Sequence, residues 1–411
     1  MQEPATAKHL TVSFAGYNHT KWALTARIYQ VLYISVAEPI SKITGRKYIL
    51  QTGRSPYAMF LAVLPSYRTN CIEILKSQFG NRLSIEVSSA HLDPTVKTGI
   101  RPSLFRAVPM VRFGKKAFMQ VPLSLNPLLA DNLVVDLNPR SITSWALLVM
   151  RRLLGRRTLV WGHLHPQAGG SVRTAMLRRT MRRLARGTIS YTHIDRTAAL
   201  EEIPHQPVWV APNAIYMAKD IRPGDNTGAV RNAVIYVGRF QPQKKVALLV
   251  RGFAEARKLK PEMRLILVGG GVQEQNIREL VTELSICGDV ELAGWVEDVS
   301  QLRSLYDRAF ASASPGFAGL GLTQSLGFGV PMVIAKDEPH SPEIELAQGG
   351  PVTWFETDSP SDLAAALVRL WDCRGTLPDE NASDLVRSRY SAESMAAGLA
   401  DALQGLQRKE E

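Results

Sequence analysis

Short apolar runs alternate with longer segments of helical periodicity over residues 233–335. Apolar runs of this length, bounded by glycine, predict buried strands, and the segments between them predict helices. Strand followed by helix, repeated in this way, predicts an α/β fold with a doubly wound parallel sheet. Ligands of such sheets bind at the carboxyl ends of the strands, where the glycines of this region lie. The predicted strands cover 233–237, 264–268, 290–292, 308–313 and 331–335, and the predicted helices cover 246–258, 272–284, 299–308 and 319–329.

Residues 314–333 are the most glycine-rich part of this region, with five glycines and two prolines among twenty residues. The apolar stretch 319–329 predicts a buried helix whose N-terminus opens on bare backbone. Unpaired N–H groups and a partial positive charge at a helix start favour a phosphate, and glycine lets a ligand approach the backbone closely. A tight strand-to-helix turn without a ligand is the alternative for this segment taken alone.

Five motifs follow one another in this half of the chain: VGRFQPQKK, LILVGGG, ELAGWV, the SPG…GLT…GFGVPMV run and PEIE. In order and spacing they resemble the nucleotide-sugar half of GT-B glycosyltransferases. More narrowly, they resemble the retaining glycosyltransferase family 4 (group 1) of bacterial surface-polysaccharide synthesis. The resemblance covers residues 210–370 well and is traceable through 136–166 and 208–213. It implies a GT-B fold, in which two Rossmann-like doubly wound lobes face a central cleft.

Length and composition agree with two such lobes. The chain has 411 residues, of which 45% are hydrophobic and 21% are charged, as in ordinary globular proteins. The three cysteines lie far apart without metal-ligand or disulfide spacing, which suits a reducing cytosol. The N-terminal residues lack the pattern of a cleavable signal peptide. No stretch reaches the length of an apolar membrane span without a polar break; residues 22–40 come nearest.

We divide the chain at the composition changes and by the resemblance. Residues 1–55 contain a strand-like run at 9–15 and a predicted helix at 22–40. The last helices, predicted from residue 391 to 407, are often packed back on the first lobe in this fold. The predicted units are an N-terminal extension or altered first unit (1–55), an acceptor-binding lobe (56–215), a hinge (216–231), a nucleotide-sugar-binding lobe (232–375) and C-terminal helices (376–411).

The diphosphate of a sugar nucleotide needs cations or backbone N–H groups to compensate its charge when no metal does so. Arg239 and Lys244 lie just beyond a predicted strand end and match the family's diphosphate-binding pair, with Lys245 as a close substitute. Amides at the start of the predicted helix 319–329 would add donors. Two exposed basic residues in a turn are the alternative. The resemblance assigns the donor site to Gly238, Arg239, Lys244, Gly269, Gly316, Gly319, Leu320, Gln324 and Glu343.

The donor site departs from the family at two positions. Gly316 and Gln324 stand where most members carry two glutamates. Gln324 retains the capacity to hydrogen-bond a ribose hydroxyl, whereas Gly316 offers no carboxylate, and we interpret the pair as a variant site. Glu343 matches a separate family motif; a carboxylate that favours a helix N-terminus is the alternative.

His163 ends a predicted strand in LVWGHLH, where the family places a histidine near the anomeric carbon. The resemblance therefore implies a catalytic set of His163, Arg239 and Lys244, with His165 as a second candidate contact. A structural histidine at a strand end is the alternative.

Two further segments of the first lobe carry expectations. Asn138 and Arg140 follow another strand, which ends at Asp136, and we expect them at the acceptor cleft. Asn213 matches the crossover between the lobes, where the family leads us to expect a structural turn.

The net charge of +12 is concentrated on two segments of the first lobe. Arginines at 151, 152, 156 and 157 surround a short apolar run, and six more lie between 173 and 186 on a predicted helix. A basic amphipathic helix is typical of proteins that bind anionic lipid, and a solvated basic face is the alternative. Nucleic acid is not expected, because the patch lacks interleaved aromatics and an accompanying motif. The residues assigned to the acceptor and membrane side are Asn138, Arg140, Arg178, Arg179, Arg182 and Arg183.

Together with the resemblance, these observations predict a retaining glycosyltransferase that transfers a sugar from a nucleotide-sugar donor to a lipid-linked glycan acceptor in bacterial exopolysaccharide, lipopolysaccharide or capsule synthesis. The enzyme would be cytoplasmic and peripheral at the inner face of the plasma membrane. Retention is expected by front-face attack, in which the leaving phosphate oxygen takes the acceptor proton, so no protein base is nominated. No metal or other cofactor is expected, since the chain has no Asp-x-Asp motif. A catalytically silent nucleotide-sugar-binding or scaffolding subunit, favoured by Gly316, is the alternative.

Overall fold

The computed structural model describes residues 55–89, 100–114, 116–164, 172–224 and 228–407. The strand and helix predicted at 9–15 and 22–40 lie outside the described residues, as does His165. Within the described residues the chain forms two α/β lobes, each built on its own parallel sheet. The α/β, doubly wound architecture predicted from the alternating pattern is therefore confirmed.

The first lobe contains a seven-stranded parallel sheet in the described part of the chain, in the order β3-β2-β1-β6-β7-β8-β9. A hairpin of β4 and β5, which the apolar pattern did not predict, stands apart from this sheet. The strands are β1 (Tyr57–Leu61), β2 (Leu83–Ser88), β3 (Arg106–Val108), β4 (Met110–Phe113), β5 (Ala117–Gln120), β6 (Asn132–Asp136), β7 (Arg157–Trp161), β8 (Gly187–Ser190) and β9 (Val208–Val210). The helices are α1 (Thr69–Phe79), α2 (Asn126–Leu129), α3 (Ile142–Leu153), α4 (Val172–Leu184) and α5 (His193–Glu202).

The second lobe contains six parallel strands among the described residues, in the order β12-β11-β10-β13-β14-β15. Counted within the lobe, this is the 3-2-1-4-5-6 order of dinucleotide-binding folds, in which ligands bind where the strand order reverses. The strands are β10 (Ala233–Val237), β11 (Arg264–Val268), β12 (Val290–Gly294), β13 (Ala309–Ser314), β14 (Met332–Ala335) and β15 (Val352–Phe355). The helices are α6 (Val246–Leu259), α7 (Glu274–Glu283), α8 (Val299–Asp307), α9 (Leu320–Gly327) and α10 (Pro360–Asp372).

Local sequence explains where several helices begin. Ser141 caps α3 by accepting the Ser144 N–H at 3.1 Å, and Thr192 caps α5 by accepting the Asp195 N–H at 2.9 Å. Such caps satisfy backbone donors that the first helical turn leaves free. Apolar side chains then cover both faces of each sheet: Leu61 and Val134 lie in the core on one face of the first sheet, and Phe60 lies in the core on the other.

The C-terminal segment crosses from the second lobe to the first. Helix α11 (Glu380–Arg389) packs on the second lobe through Val386, whereas α12 (Ala392–Gln404) packs on α1 and β9 of the first lobe. A Cβ atom at Gly398 would lie 1.9 Å from the Val210 carbonyl oxygen, so glycine permits the close approach of α12 to β9. The end of the chain thus ties the two lobes together.

In the described ranges, no helix has both the length and the apolar character to cross a membrane.

Candidate functional site

Two glycines at strand ends of the second lobe allow close backbone contact. Gly238 follows β10 and Gly269 follows β11, with positive φ angles of 157° and 126°. A Cβ atom at Gly269 would lie 1.9 Å from the Gly238 carbonyl oxygen. Any side chain at Gly269 would therefore separate the two strand ends, so this glycine shapes the floor of the site.

The turn that carries Lys244 is bound to the glycine-rich segment. The Phe317 N–H donates to the Gln243 carbonyl at 3.2 Å, and Lys244 Nζ donates to the Phe317 carbonyl at 2.7 Å. Lys244 Nζ also lies 4.3 Å from the centroid of the Phe317 ring, within the range of a cation–π contact. A Cβ atom at Gly316 would lie 2.3 Å from the Gln243 carbonyl oxygen. The turn thus fills the space that a side chain at Gly316 would need.

These elements enclose a cavity of about 210 Å³, the second-lobe cavity. Its wall includes Gly238, Arg239 and Lys244 from one side and Gly319 and Leu320 from the start of α9. The first N–H groups of a helix have no intrahelical acceptor, so the α9 start adds donors to this wall. The cavity therefore combines two cationic side chains with a helix N-terminus, an arrangement that favours an anion.

The two cations differ in their surroundings. Burial and, to a smaller extent, the positive charge of Arg239 lower the pKa of Lys244 to about 8. Arg239 Nη1 is buried and has no hydrogen-bond partner among the described residues. An anion in the cavity would stabilise both groups. It would accept a hydrogen bond from the free guanidinium nitrogen of Arg239, and its charge would stabilise the protonated form of Lys244.

Trp295 also lines the second-lobe cavity, and 64% of its surface is exposed. Its indole nitrogen would lie 3.1 Å from a Cβ atom at Gly270, so it stands directly over the glycine run after β11. The sequence contains Trp295 in the motif ELAGWV, but the spacing of residues in that motif indicated no role for the tryptophan. A large exposed ring at the edge of this cavity offers a flat surface for stacking.

The first lobe has its own cavity of about 400 Å³, the first-lobe cavity, at the carboxyl ends of β1, β6 and β7. His163 lines it, and its ring lies 4.9 Å from that of Tyr191 in an edge-on arrangement. Burial lowers the pKa of His163 to about 4, with Arg178 and Arg68 contributing in the same direction. His163 is therefore neutral at neutral pH and offers one donor and one acceptor. Asn138 and Arg140 line the same cavity, and their place at an acceptor cleft stays a prediction.

Arg68 is a central residue of this cavity that the sequence analysis missed. It lies after β1, is 7% exposed, and stacks over Trp161 with its guanidinium carbon 4.4 Å from the ring centroid. Arg68 Nη2 donates to Tyr191 Oη at 3.0 Å and to Asn213 Oδ1 at 2.7 Å. The position of Arg68 just beyond the end of the first strand was the one indication in the sequence that it could lie at a site. Its partners lie more than 120 residues away in the sequence, so its role there was not predictable.

Asn213 connects the first-lobe cavity to the second lobe. Its Oδ1 accepts from Arg68, and its Nδ2 donates to Glu343 Oε1 at 2.8 Å. Glu343 is 3% exposed, its pKa is raised by burial, and its Oε2 has no hydrogen-bond partner in the described part of the protein. Asn213 is thus more than the structural turn expected from the sequence, because it joins a cavity residue of one lobe to a buried carboxylate of the other.

Comparison with known proteins shows which family the second lobe resembles. Residues 231–373 match the family model described as glycosyl transferases group 1. The second lobe is a glycosyl transferases group 1 domain. The chain is 28% identical over 150 residues to the lipopolysaccharide core biosynthesis glycosyltransferase LpsE of Rhizobium meliloti, covering 36% of this chain and 38% of that protein. The curated relatives are matched over 22% to 46% of their own lengths.

Solved structures resemble the chain over a larger part of its length. Anabaena HepE, crystallised with UDP and glucose, aligns with a TM-score of 0.58 at 15% identity, covering 85% of this chain and 99% of that one. The lipopolysaccharide outer core galactosyltransferase WaaB aligns with a TM-score of 0.57 at 12% identity, covering 86% and 99%. These likenesses establish the fold as GT-B, as the motifs predicted.

The predicted donor residues fall into two sets: some line the second-lobe cavity and some do not. Gly238, Arg239, Lys244, Gly319 and Leu320 line the second-lobe cavity. The other four do not line this cavity. Gly269 packs on Gly238, Gly316 packs on the Lys244 turn, Glu343 contacts Asn213, and Gln324 is 6% exposed with an unpartnered Nε2 within the described chain.

Lys245 does not line the second-lobe cavity. Its Nζ pairs with Glu338 and Asp358, each at 2.6 Å. The backbone reverses at Lys245 (φ 50°), so neighbouring side chains point in different directions. That Lys245 is a close substitute for Lys244 stays a prediction, which the two ion pairs disfavour.

The basic helix of the first lobe does not present one basic face. Arg179 and Arg183 are exposed, but Arg182 is 1% exposed and donates to the Ala199 carbonyl at 2.9 Å and to Glu202. Arg178 lines the first-lobe cavity. The assignment of Arg182 to an exposed membrane side is therefore wrong, because its side chain is buried within the lobe.

The other basic segment contains a buried arginine as well. The guanidinium of Arg151 is fully buried and donates to the backbone carbonyls of Leu128, Ala130 and Arg157 at 2.7 to 3.0 Å. Burial lowers its pKa to about 9. Arg151 thus holds the segment before β6 in place and does not contribute to a basic surface.

In the described ranges, no three His, Cys, Asp or Glu side chains cluster in a way that could hold a metal ion.

Proposed function

We propose that the protein transfers a sugar, with retention, from a nucleotide-sugar donor to a glycan acceptor. The observation that carries this proposal is the second-lobe cavity, where Arg239, Lys244 and the start of α9 converge at the strand ends of a group 1 domain. The diphosphate would lie against these donors, and Trp295 is positioned to stack on the base. The HepE structure, crystallised with UDP and glucose, supports a nucleotide sugar as the ligand of this fold.

The chemistry follows from the charges of the cavity. Cleavage of the bond between the sugar C1 and the phosphate oxygen leaves negative charge on that oxygen, and Arg239 and Lys244 stabilise it. An acceptor hydroxyl oxygen forms the new bond to C1 on the same face, and its proton passes to the leaving phosphate oxygen. Neutral His163, from the opposite lobe, would hydrogen-bond the donor sugar. In this scheme the protein supplies charge compensation and positioning, and no side chain acts as a base.

The acceptor and pathway belong to the proposal as well. Similarity to LpsE and to WaaB, both named as lipopolysaccharide core transferases, favours a glycan acceptor in bacterial surface-polysaccharide synthesis. A lipid-linked acceptor would place the enzyme at the inner face of the plasma membrane.

A surface of the first lobe favours peripheral membrane attachment. We define the α3–α4 surface by Leu153, Met176 and Leu177, which are 83%, 66% and 45% exposed, together with exposed Arg179 and Arg183. Apolar side chains flanked by arginines suit the boundary between lipid headgroups and acyl chains. This surface replaces the single arginine face expected from the sequence.

A catalytically silent binding or scaffolding subunit is the second candidate, favoured by the glycine at 316. Hydrolysis of the donor without acceptor separates the two. Purified protein would be incubated in EDTA with UDP-, GDP-, ADP- and dTDP-sugars, and released nucleoside diphosphate would be measured against Lys244→Ala protein. Slow release of diphosphate from one donor, lost in the variant, supports a transferase that needs no metal. Binding of a donor without release, even when magnesium is restored, supports the silent subunit.

A further inference from the structure

The first-lobe cavity carries more positive than negative charge. Three arginines line it, Arg68, Arg140 and Arg178, against one carboxylate, Asp136. His163, the remaining titratable base in its wall, is neutral at neutral pH because burial and two of these arginines lower its pKa to about 4. Asp195 lies near Arg178, and Glu343 lies near Arg68 on the other side of Asn213, but both carboxylates are outside the wall. The wall therefore has an excess of about two positive charges at neutral pH.

Buried hydrogen-bond donors of this wall also lack partners within the described chain. Among the described residues, Arg68 Nε, Trp161 Nε1 and Arg178 Nε are buried without a partner. Arg68 and Trp161 are 93% and 98% buried, as their exposed fractions of 7% and 2% show. Two acceptor atoms of the wall already have partners: Asp136 Oδ2 accepts from the Ala62 N–H, and Asn138 Oδ1 accepts from the Arg140 N–H at 3.1 Å. A buried unpaired donor is costly, so the missing component is an acceptor.

The guanidinium of Arg68 is fixed before any ligand arrives. Arg68 is held by Tyr191 and Asn213 and stacks on Trp161. Arg178 donates through Nη1 to the His163 carbonyl, which leaves the rest of its guanidinium for the cavity. Planar guanidinium groups that are fixed in this way match the two oxygens of a carboxylate or phosphate, and little side-chain entropy is lost on binding.

We propose that the first-lobe cavity binds an oxyanion, a carboxylate or a phosphate, carried by the acceptor. The inference rests on the proposed function, because it assigns this cavity to the acceptor of the transfer reaction. A neutral sugar would supply hydroxyl groups but would leave the charge excess uncompensated. The acceptor class is accordingly a uronic-acid-containing or phosphorylated glycan, and not a neutral one.

The test measures anion binding in the absence of any donor. Because the second-lobe cavity also favours phosphate, the measurement uses full-length protein that carries Arg239→Ala and Lys244→Ala. Inorganic phosphate, glycerol 3-phosphate, glucuronate and glucose are titrated by calorimetry into this background. Arg178→Gln and Arg140→Gln are added separately, and Arg179→Gln serves as the matched control because it is the exposed neighbour on the same helix.

We expect at least one anion to bind about tenfold more tightly than glucose, and each cavity variant to weaken that binding about tenfold. The Arg179→Gln protein should bind like the background. Tighter binding of glucuronate than of glycerol 3-phosphate identifies a carboxylate, and the reverse identifies a phosphate. Equal binding of glucose and the anions, or anion binding that survives both cavity variants, overturns the proposal. Circular dichroism checks folding, and exposed Arg140 keeps the test valid if Arg178→Gln unfolds. Donor hydrolysis is measured on separate wild-type protein, so its failure would count against the transferase function alone.

Discussion

Asn213 of the first lobe donates a hydrogen bond of 2.8 Å to the buried carboxylate of Glu343 in the second lobe. Arg68, which lines the first-lobe cavity, donates to the same asparagine at 2.7 Å. One amide thus satisfies a buried cation from one lobe and a buried anion from the other. The connection spans 275 positions of the sequence from Arg68 to Glu343, and it joins the first-lobe cavity to a buried carboxylate of the second lobe.

Removing this amide should destabilise the protein. In Asn213→Ala, Arg68 loses an acceptor and Glu343 loses a donor, and each is buried. We expect a loss of ~1–3 kcal/mol for each group left unsatisfied, visible as a lower thermal midpoint. Asn276→Ala, at an exposed position of α7, is the control and should melt like the wild type. If both variants have the same thermal midpoint, the contact between the lobes does not contribute to the stability of the protein.

Restoring the family's carboxylate at position 316 should damage the site. In Gly316→Glu, the new Cβ atom would lie 2.3 Å from the Gln243 carbonyl, so the turn that carries Lys244 must move. We expect a lower melting temperature and weaker donor binding. Gly288→Ala is the control, because a Cβ atom there meets nothing within 4 Å. If the Gly316→Glu protein hydrolyses the donor faster and keeps its stability, the site has lost a useful carboxylate, and its interpretation as a functional variant of the family's site is wrong.

Donor binding should weaken at alkaline pH. The pKa of Lys244 is lowered to about 8, so the free protein holds a charged lysine below pH 8 and a neutral one above it. An anionic diphosphate favours the charged form, so binding above pH 8 must take up a proton. The dissociation constant should rise up to about tenfold per pH unit above 8. Lys244→Arg should remove this dependence between pH 7 and 9 because arginine stays charged. An identical pH profile in both proteins would exclude Lys244 as the titrating group.

The α3–α4 surface predicts salt-dependent binding to anionic vesicles. Each basic residue near such a surface contributes about 1 kcal/mol, and salt screens it. A protein with Leu153→Ser, Leu177→Ser, Arg179→Ser and Arg183→Ser should stay in solution in a flotation assay at low salt, whereas the wild type floats. Lys258→Ser with Leu259→Ser, at exposed positions of the second lobe, is the control and should float. If the wild type fails to float, attachment through this surface is ruled out.

The sequence predicted the second lobe more completely than the first. Strands such as Ala233–Val237 and Arg264–Val268 were predicted with their observed bounds, because both are continuous apolar runs that end at glycine or another clear break. Arg239 and Lys244 line one cavity because both lie in the turn after β10, and the end of a strand fixes where the following turn lies. The hairpin of Met110–Phe113 and Ala117–Gln120 was missed because its outer positions are only partly buried and its apolar pattern is short.

Residues whose roles depend on distant partners were not predictable. Helical periodicity placed Arg182 on a basic helix, but its burial depends on Glu202 and Ala199 of the next helix. The same holds for Glu343, whose partner Asn213 lies 130 residues away. Local pattern fixes elements and strand ends, whereas the pairing of buried charges is decided by packing between them.

The central claim is that Arg239 and Lys244 bind the diphosphate of a nucleotide sugar in the second-lobe cavity. Losing one charge-assisted contact to a diphosphate costs about 2–4 kcal/mol, which is at least about 30-fold in binding or turnover. The most direct measurement is calorimetric titration of nucleotide sugars into wild-type, Arg239→Ala, Lys244→Ala and Lys245→Gln proteins. The account predicts that one donor binds the wild type, that both cavity variants bind it at least about 30-fold more weakly, and that Lys245→Gln binds it normally. Undiminished binding by both Arg239→Ala and Lys244→Ala would contradict the account.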